Sequence, residues 1–88
     1  MTWDLRVAAS AERTLARLPG SVAAAIVKFM VGPLREDPKR VGKPLQRELA
    51  GYRSARRGAY RVVYRLDDAA NEVRVVRIEH RADVYRTR

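Results

Sequence analysis

The sequence contains no cysteine, which excludes disulfides and metal sites built from thiolates. It has a single histidine, so a zinc site made of several imidazoles is also excluded. The five glycines are scattered and form no phosphate-binding loop. No two carboxylates are paired for glycosidase-type catalysis. Most enzyme classes are thereby excluded, and we expect neither a metal ion nor another cofactor.

Long hydrophobic runs are also missing. The longest apolar run, Val22–Val27, is far shorter than the ~20 residues that a membrane span requires. Asp4 and Arg6 interrupt the segment in which a signal peptide would carry its apolar region. We therefore expect a cytoplasmic protein without membrane contact, and the 88 residues predict one domain, residues 1–88.

Acidic residues are few compared with basic ones. Nineteen Lys and Arg residues oppose ten Asp and Glu residues, which gives a formal net charge of +9. Only Lys28, Lys39 and Lys43 are lysines. Arginine presents a planar fork that matches two phosphate oxygens, whereas lysine presents a point charge. This composition predicts a polyanionic partner, with RNA favoured, or an acidic protein.

The N-terminal half has the pattern of one strand and a first helix. Trp3–Ala8 alternates apolar and polar residues, which is typical of a half-buried strand. Ser10 is a good N-cap for a helix whose apolar face carries Ala11, Leu15 and Leu18.

A second helix is expected after Pro19-Gly20, with Ser21 as its N-cap. Its residues 22–31 are apolar nearly all round, which predicts a helix that is either deeply buried or covered by a partner. We expect Gly32-Pro33 to bend or break it, because proline has no N–H to donate.

The C-terminal half changes to a period of two after a polar loop at Arg35–Gln46. Three strands are predicted, at Tyr52–Arg57, Ala59–Leu66 and Glu72–Glu79, and a basic tail with a short turn or helix follows at residues 80–88. The predicted fold is α+β: an N-terminal strand and an αα-hairpin packed on a mostly antiparallel four-stranded sheet, in the order β-α-α-β-β-β.

Arginines and tyrosines on the predicted sheet are the candidates for function. Since neighbouring strands are about 4.8 Å apart and alternate residues share a face, these side chains can converge on one face. We expect Tyr60 and Tyr64 to be core residues. The candidates are Arg53, Arg56, Arg57, Arg61, Arg77, His80, Arg81 and Tyr85.

Metal-free RNA cleavage requires a base for the 2′-hydroxyl proton, positive charge for the phosphorane and an acid for the leaving 5′-oxygen. Arginines supply the charge. Tyr85 is a candidate base, because surrounding guanidinium groups lower a tyrosine pKa. His80 or Arg81 is a candidate acid. Composition alone, however, favours a binding surface over an active site.

Three segments resemble the RelE/ParE superfamily of bacterial toxins, and its RelE branch in particular. They are GKPL at residues 42–45, ELAGYRSARRGAYRVVY at residues 48–64 and HRADVYR at residues 80–86. The segment at residues 18–34 also looks like the second helix of that family. The order of the predicted elements is that of the family's fold.

The resemblance implies a ribosome-dependent endoribonuclease that cuts messenger RNA in the decoding site, where it contacts 16S rRNA. It also implies that a cognate antitoxin inhibits the toxin. The toxin would contact operator DNA only through that antitoxin. By motif, Arg61 would stabilise the phosphate, Arg81 would stabilise charge or act as the acid, and Tyr85 would be the base. RNA-binding residues would be Lys43, Arg53, Arg56, Arg57, Arg77 and His80. Ala55 stands where the family has a second lysine.

Two other interpretations are compatible with the sequence. A ParE-like toxin would inhibit DNA gyrase by protein contact and would need no active site. Its relatives generally lack the set Arg61, Arg81 and Tyr85, which favours the nuclease. A plain RNA-binding module would need surface aromatic residues interleaved with charge, and these are missing here.

Overall fold

The computed structural model describes residues 2–81. A π-helical turn at Met30–Leu34 extends the second helix, and a 3-10 turn at Arg47–Leu49 precedes the central hairpin. The elements are β1 (Asp4–Val7), α1 (Ala9–Arg17), α2 (Gly20–Phe29), α3 (Pro38–Val41), β2 (Lys43–Pro44), β3 (Arg53–Arg57), β4 (Tyr60–Asp67) and β5 (Glu72–His80).

The strands form one mixed sheet in the order β1-β5-β4-β3-β2. β1 runs parallel to β5, and the other neighbours are antiparallel. The α+β class and the mostly antiparallel sheet are confirmed, whereas the predicted number of four strands is wrong. The fifth strand, β2, lies in the segment predicted as a loop, where Lys43 and Pro44 pair with β3. Pro44 is tolerated because an edge strand need not donate every N–H.

The core lies between the helices and one face of the sheet. Tyr64 is fully buried, as predicted, and Tyr60 is partly buried against the core. Phe29 and Ile26 of α2 are buried, whereas Val27 and Val31 are 40% and 50% exposed. The buried cluster consists of Ala11, Ile26, Phe29, Met30, Leu34, Ala55, Val62, Tyr64, Val73, Val75 and Ile78.

The pairing of β4 with β5 contains a register shift. Val63 pairs with Arg77 and Tyr64 pairs with Val75, so Val76 is skipped. A bulge of this kind reverses which residues of a strand face each side. Val73 and Val75 before it and Ile78 after it consequently all face the helices.

The predicted N-caps are wrong. α1 begins after Ala8, and the Ser10 hydroxyl donates a hydrogen bond of 2.8 Å to the carbonyl of Val76, which fastens α1 to the sheet at the bulge. α2 begins after Pro19, whose carbonyl accepts from the first turn, and Ser21 makes no capping bond. A tertiary contact has replaced the local one at Ser10.

Pro33 does not break the helix. It lies within the π-helical turn, and the chain stays helical as far as residue 36. The π turn lies where the regular hydrogen-bond ladder is interrupted, because Pro33 has no N–H to donate. The carbonyl of Pro33 still accepts from the N–H of Asp37 at 3.1 Å.

The chain end differs from the prediction in one respect. His80 is the last residue of β5 instead of the first residue of the tail. The sequence predicts a C-terminal turn or helix within residues 80–88, and residues 82–88 of that segment lie outside the described residues. Among the helices of the described part, none has the length and hydropathy needed to cross a membrane.

Tyr64 joins the sheet to α3. Its hydroxyl donates a hydrogen bond of 2.6 Å to the carbonyl of Pro38. Burial raises the pKa of Tyr64, against the opposing effect of Arg53, so the hydroxyl stays protonated and able to donate. Gly42 passes directly over this hydroxyl, and an added β carbon would meet the Tyr64 hydroxyl and lie 2.7 Å from the carbonyl oxygen of Ser54.

We predict that Gly42→Ala lowers the free energy of unfolding by about 1–3 kcal/mol, the usual cost of overpacking. The measurement is the midpoint of urea denaturation. Gly20→Ala is the control, because an added β carbon there meets nothing within 4 Å. It should leave stability unchanged or raise it by up to about 1 kcal/mol. Equal urea denaturation midpoints for Gly42→Ala and the wild-type protein would contradict the prediction.

Candidate functional site

The face of the sheet opposite the helices, called here the open face, carries a row of charged residues. Arg56 of β3 pairs with Arg61 of β4, and Arg61 pairs in turn with Glu79 of β5. These three residues form one rung across the sheet, with two like charges directly opposite each other. Such a pairing is unfavourable unless an opposite charge or a ligand compensates it.

Glu79 supplies the opposite charge. Its Oε1 accepts a hydrogen bond of 2.8 Å from Nη2 of Arg61, and its Oε2 accepts one of 2.9 Å from Nη1 of Arg77. The side chains of Glu79 and Arg61 are 18% and 27% exposed, whereas that of Arg77 is 65% exposed. Arg61 is therefore held against β5, whereas Arg77 is bound to Glu79 but largely exposed.

The arginines outweigh burial in setting the ionisation of Glu79. Burial alone would raise the pKa of Glu79, but the hydrogen bonds from Arg77 and Arg61, together with their charges, lower the pKa below the ordinary value of 4.5. Glu79 is consequently ionised at neutral pH and is a weak proton acceptor.

Two cavities adjoin Arg61. The first has a volume of about 470 Å³ and brings three cationic side chains together without a carboxylate. Its lining residues are Val41, Gly42, Lys43, Ser54, Ala55, Arg56 and Arg61. The second, of about 370 Å³, lies on the Glu79 side of Arg61 and also includes Tyr52, Leu49 and Arg77. The first, called here the cationic cavity, has the charge and the arginine forks that suit a phosphate group.

Arg53 and Arg57 do not join the open face, so these two arginines are not among those that converge there. Alternation along β3 turns both side chains toward the helices. Arg53 donates hydrogen bonds of 2.7 and 3.2 Å to the carbonyls of Lys39 and Gly42. The Arg57 guanidinium lies 3.9 Å from the centre of the Phe29 ring. Arg53 is thereby bound to backbone carbonyls beside α3, whereas Arg57 remains exposed.

The residues near the end of β5 are divided as well. His80 pairs with Tyr60, and their rings meet edge to face with centres 5.0 Å apart, which places His80 on the helix side. Arg81 is exposed, and its backbone N–H donates a hydrogen bond of 2.7 Å to the carbonyl of Ala59. Tyr85 lies outside the described residues. Of the three predicted catalytic residues, Arg61 is therefore the one whose surroundings the structure defines in detail.

The chain matches a family of toxins along almost its whole length. The family described as "ParE toxin of type II toxin-antitoxin system, parDE" matches residues 5–85. Toxin RelG of Mycobacterium tuberculosis is 51% identical over 86 residues, which cover 98% of this chain and 99% of that protein. This chain is a toxin of the RelE/ParE superfamily.

Two further relatives support the assignment of this chain to the RelE/ParE superfamily. Toxin RelE of Mycobacterium tuberculosis is 48% identical over 84 residues, which cover 96% of this chain and 87% of that protein. A crystal structure of the toxin–antitoxin complex RelBE2 from the same organism contains a chain that is 48% identical, with a TM-score of 0.88. That match covers 92% of the toxin and all of the other chain.

Glu79 is the residue of the site that the sequence reasoning missed. Within residues 2–81, no group of three or more His, Asp or Glu side chains of the toxin is placed to hold a metal ion, and Glu79 instead pairs with arginines. A signal was present: Arg77 and Glu79 are two residues apart on one strand, so they share a face. The partnership with Arg61 required the register of β4 against β5.

We predict that Glu79 stabilises the toxin at neutral pH and loses this effect in acid. Because the pKa of Glu79 is lower in the folded chain, the unfolded chain binds more protons as the pH falls below about 4.5. The difference in unfolding free energy between the toxin and Glu79→Gln should be largest near pH 7. It should shrink as the pH falls through the lowered pKa. Urea denaturation at a series of pH values measures it, and a difference that grows in acid would contradict the prediction.

Proposed function

We propose that the toxin is an endoribonuclease that cuts messenger RNA in the decoding site of the ribosome without using a metal ion. The observation that carries the proposal is the cationic cavity, in which Lys43, Arg56 and Arg61 converge. The close relatives named RelG and RelE support it. A cluster of like charges destabilises an empty site, and a bound phosphate would relieve that repulsion.

The proposed reaction is transfer of the scissile phosphate to the neighbouring 2′-oxygen. A base removes the 2′-hydroxyl proton, the 2′-oxygen forms a bond to phosphorus, and the bond from phosphorus to the 5′-oxygen breaks. An acid gives a proton to the 5′-oxygen. The products are a 2′,3′-cyclic phosphate and a 5′-hydroxyl, and the negative charge is greatest on the phosphorane between the two steps.

Arg61 is the residue to which we assign stabilisation of the phosphorane. It is half-buried and pre-positioned, and fixed donors stabilise a transition state without further reorganisation. Arg81 and Tyr85 keep the roles that the resemblance implies, charge stabilisation or acid for Arg81 and base for Tyr85. Lys43, Arg56 and Arg77 are assigned to contacts with neighbouring phosphates. Arg53, Arg57 and His80 belong to the scaffold in this proposal.

The alternative is inhibition of DNA gyrase, and the match to the family described as ParE favours it. A gyrase inhibitor would use the open face as a binding surface and would need no transition-state contact. The two proposals therefore differ in what Arg61→Ala does: it strongly lowers the cleavage rate in the first and alters only protein binding in the second.

We also propose that an acidic or amphipathic segment of a cognate antitoxin covers α2. Val27 of α2 and Val31 of the π-helical turn that extends it are exposed, with Lys28 next to Val27. An apolar stripe next to a basic residue suits a helix or strand that carries both apolar and acidic side chains. The related RelBE2 chain was crystallised in a toxin–antitoxin complex, which supports such a partner.

We predict that Arg61→Ala lowers the cleavage rate about 100- to 1,000-fold, because loss of one transition-state donor has this effect in other enzymes. Ribosome binding should change far less. The measurement is primer extension on a reporter message translated in a cell-free system with the purified toxin added. Arg81→Ala and Tyr85→Phe are tested in parallel and should also lose cleavage.

Arg65→Ala is the matched control for Arg61→Ala. It removes an exposed arginine from the same face of β4, outside both cavities that adjoin Arg61. Its effect on cleavage should stay within about threefold, since Arg65 lines neither cavity and an exposed charge contributes little. An intact message combined with blocked supercoiling by gyrase would establish the alternative. Equal losses of cleavage and ribosome binding in Arg61→Ala would contradict the role of Arg61.

We predict that the double substitution Val27→Ser and Val31→Ser weakens antitoxin binding about 30-fold, from a loss of ~1 kcal/mol for each apolar contact. Isothermal titration calorimetry with the antitoxin encoded in the adjacent reading frame measures it. Leu49→Ser is the control, because Leu49 is 41% exposed but lies on the open face side. Unchanged affinity in the double variant would place the antitoxin elsewhere.

A further inference from the structure

We propose that Glu79 is a positioning residue for Arg61, which holds one side of the guanidinium so that its other N–H groups face the cationic cavity. The inference rests on the proposed nuclease function. Glu79 lies beside Arg61 in the rung across β4 and β5, and their bond of 2.8 Å is half-buried. Glu79 does not line the cationic cavity, whereas Arg61 does.

Arg61 has a particular need of such support. Arg56 lies directly opposite it on β3, and the two like charges repel each other. Within residues 2–81, Nε of Arg61 is buried without a hydrogen-bond partner. A long side chain in this situation would turn away from Arg56 or adopt several rotamers. The bond from Nη2 to Glu79 opposes both movements.

The geometry leaves Arg61 available to a substrate. A guanidinium carries five N–H groups, and the bond to Oε1 of Glu79 engages one terminal nitrogen. The remaining terminal N–H groups can therefore donate to phosphate oxygens from the side of the cationic cavity, whereas Nε is buried. A carboxylate that competed with the substrate would instead bind the guanidinium N–H groups that the phosphate needs. Glu79 does not line the cationic cavity and so does not compete in this way.

Glu79 is itself fixed, which a positioning residue must be. Arg77 binds its second oxygen at 2.9 Å, so neither carboxylate oxygen is left to rotate freely. The same two bonds lower the pKa of Glu79, which makes it a poor general base at neutral pH. Its chemistry suits orientation of a neighbour better than proton transfer.

The test compares Glu79→Gln with the matched variant Glu72→Gln. Glu72 lies on the same strand, its side chain is 15% exposed against 18% for Glu79, and it also faces two arginines. These are Arg74 at 3.0 Å and Arg6 at 3.9 Å. A general effect of losing a half-buried carboxylate would therefore appear in both variants.

The readout is single-turnover cleavage of message on purified programmed ribosomes, together with the affinity of the toxin for those ribosomes. We expect Glu79→Gln to lower the maximal cleavage rate about 10- to 100-fold, since small misplacements of a catalytic group have effects of this size. Ribosome affinity should change by less than about threefold, and Glu72→Gln should cleave like the unchanged toxin. Glu79→Asp, which keeps the charge on a shorter side chain, should recover part of the rate.

A double-mutant cycle shows whether Glu79 acts through Arg61. In the Arg61→Ala background, Glu79→Gln should cause no further loss, because the group that it positions is gone. Additive losses would overturn the inference. A rate in Glu79→Gln equal to or above that of the unchanged toxin would also overturn it, and would make Glu79 neutral or a competitor of the phosphate. So would an equal loss in Glu72→Gln.

A second measurement is independent of cleavage. Relaxation of the Arg61 Nε–H group in the ¹⁵N NMR spectrum should show a rigid side chain in the toxin and a mobile one in Glu79→Gln, with Arg65 unchanged as the reference. Absence of cleavage by the unchanged toxin would overturn the proposed function alone. Unchanged mobility of Arg61 would overturn the role of Glu79 whether or not the toxin cleaves RNA.

Discussion

The register shift between β4 and β5 is the constraint on which the arrangement of this toxin depends. Without it, the alternation that buries Val73 and Val75 would turn Arg77 and Glu79 toward the helices and expose Ile78. Skipping Val76 reverses the alternation, so that Ile78 completes the core and Glu79 lies opposite Arg61. One extra residue in a strand therefore serves both the packing of the core and the electrostatics of the open face.

The same bulge connects the sheet to the helices. The carbonyl of Val76 accepts the hydroxyl of Ser10, which fixes the start of α1 against β5. On the helix side of β3 and β4, the Arg53 guanidinium and the Tyr64 hydroxyl donate hydrogen bonds to carbonyl groups in and next to α3. Side chains that donate to backbone oxygens thereby connect the sheet to α1 and α3, which matters in a small protein with a thin core.

The positive charge of the toxin is divided between two tasks. Arg53 and Arg57 are turned toward the helices, where carbonyl groups and an aromatic ring receive them. Lys43, Arg56 and Arg61 face the cationic cavity and receive no carboxylate from its lining. Glu79, which belongs to the rung, binds both Arg61 and Arg77. A net charge of +9 gave no indication of this division, because composition does not distinguish the two faces of a strand.

Local patterns in the sequence determined most of the elements: period-two alternation marked β3, β4 and β5, and the period of 3.6 marked α1 and α2, whereas α3 lies in the segment predicted as a loop. The residues that resemble RelE toxins determined the family and pointed to Arg61. Tertiary structure alone decided the features that depend on distant partners. β2 exists because β3 pairs with it, Ser10 leaves its capping role for the carbonyl of Val76, and Pro33 is accommodated in a π turn. The position of Glu79 beside Arg61 belongs to the same group, since a strand's own sequence specifies which residues alternate, whereas the register against its neighbour decides which of them meet.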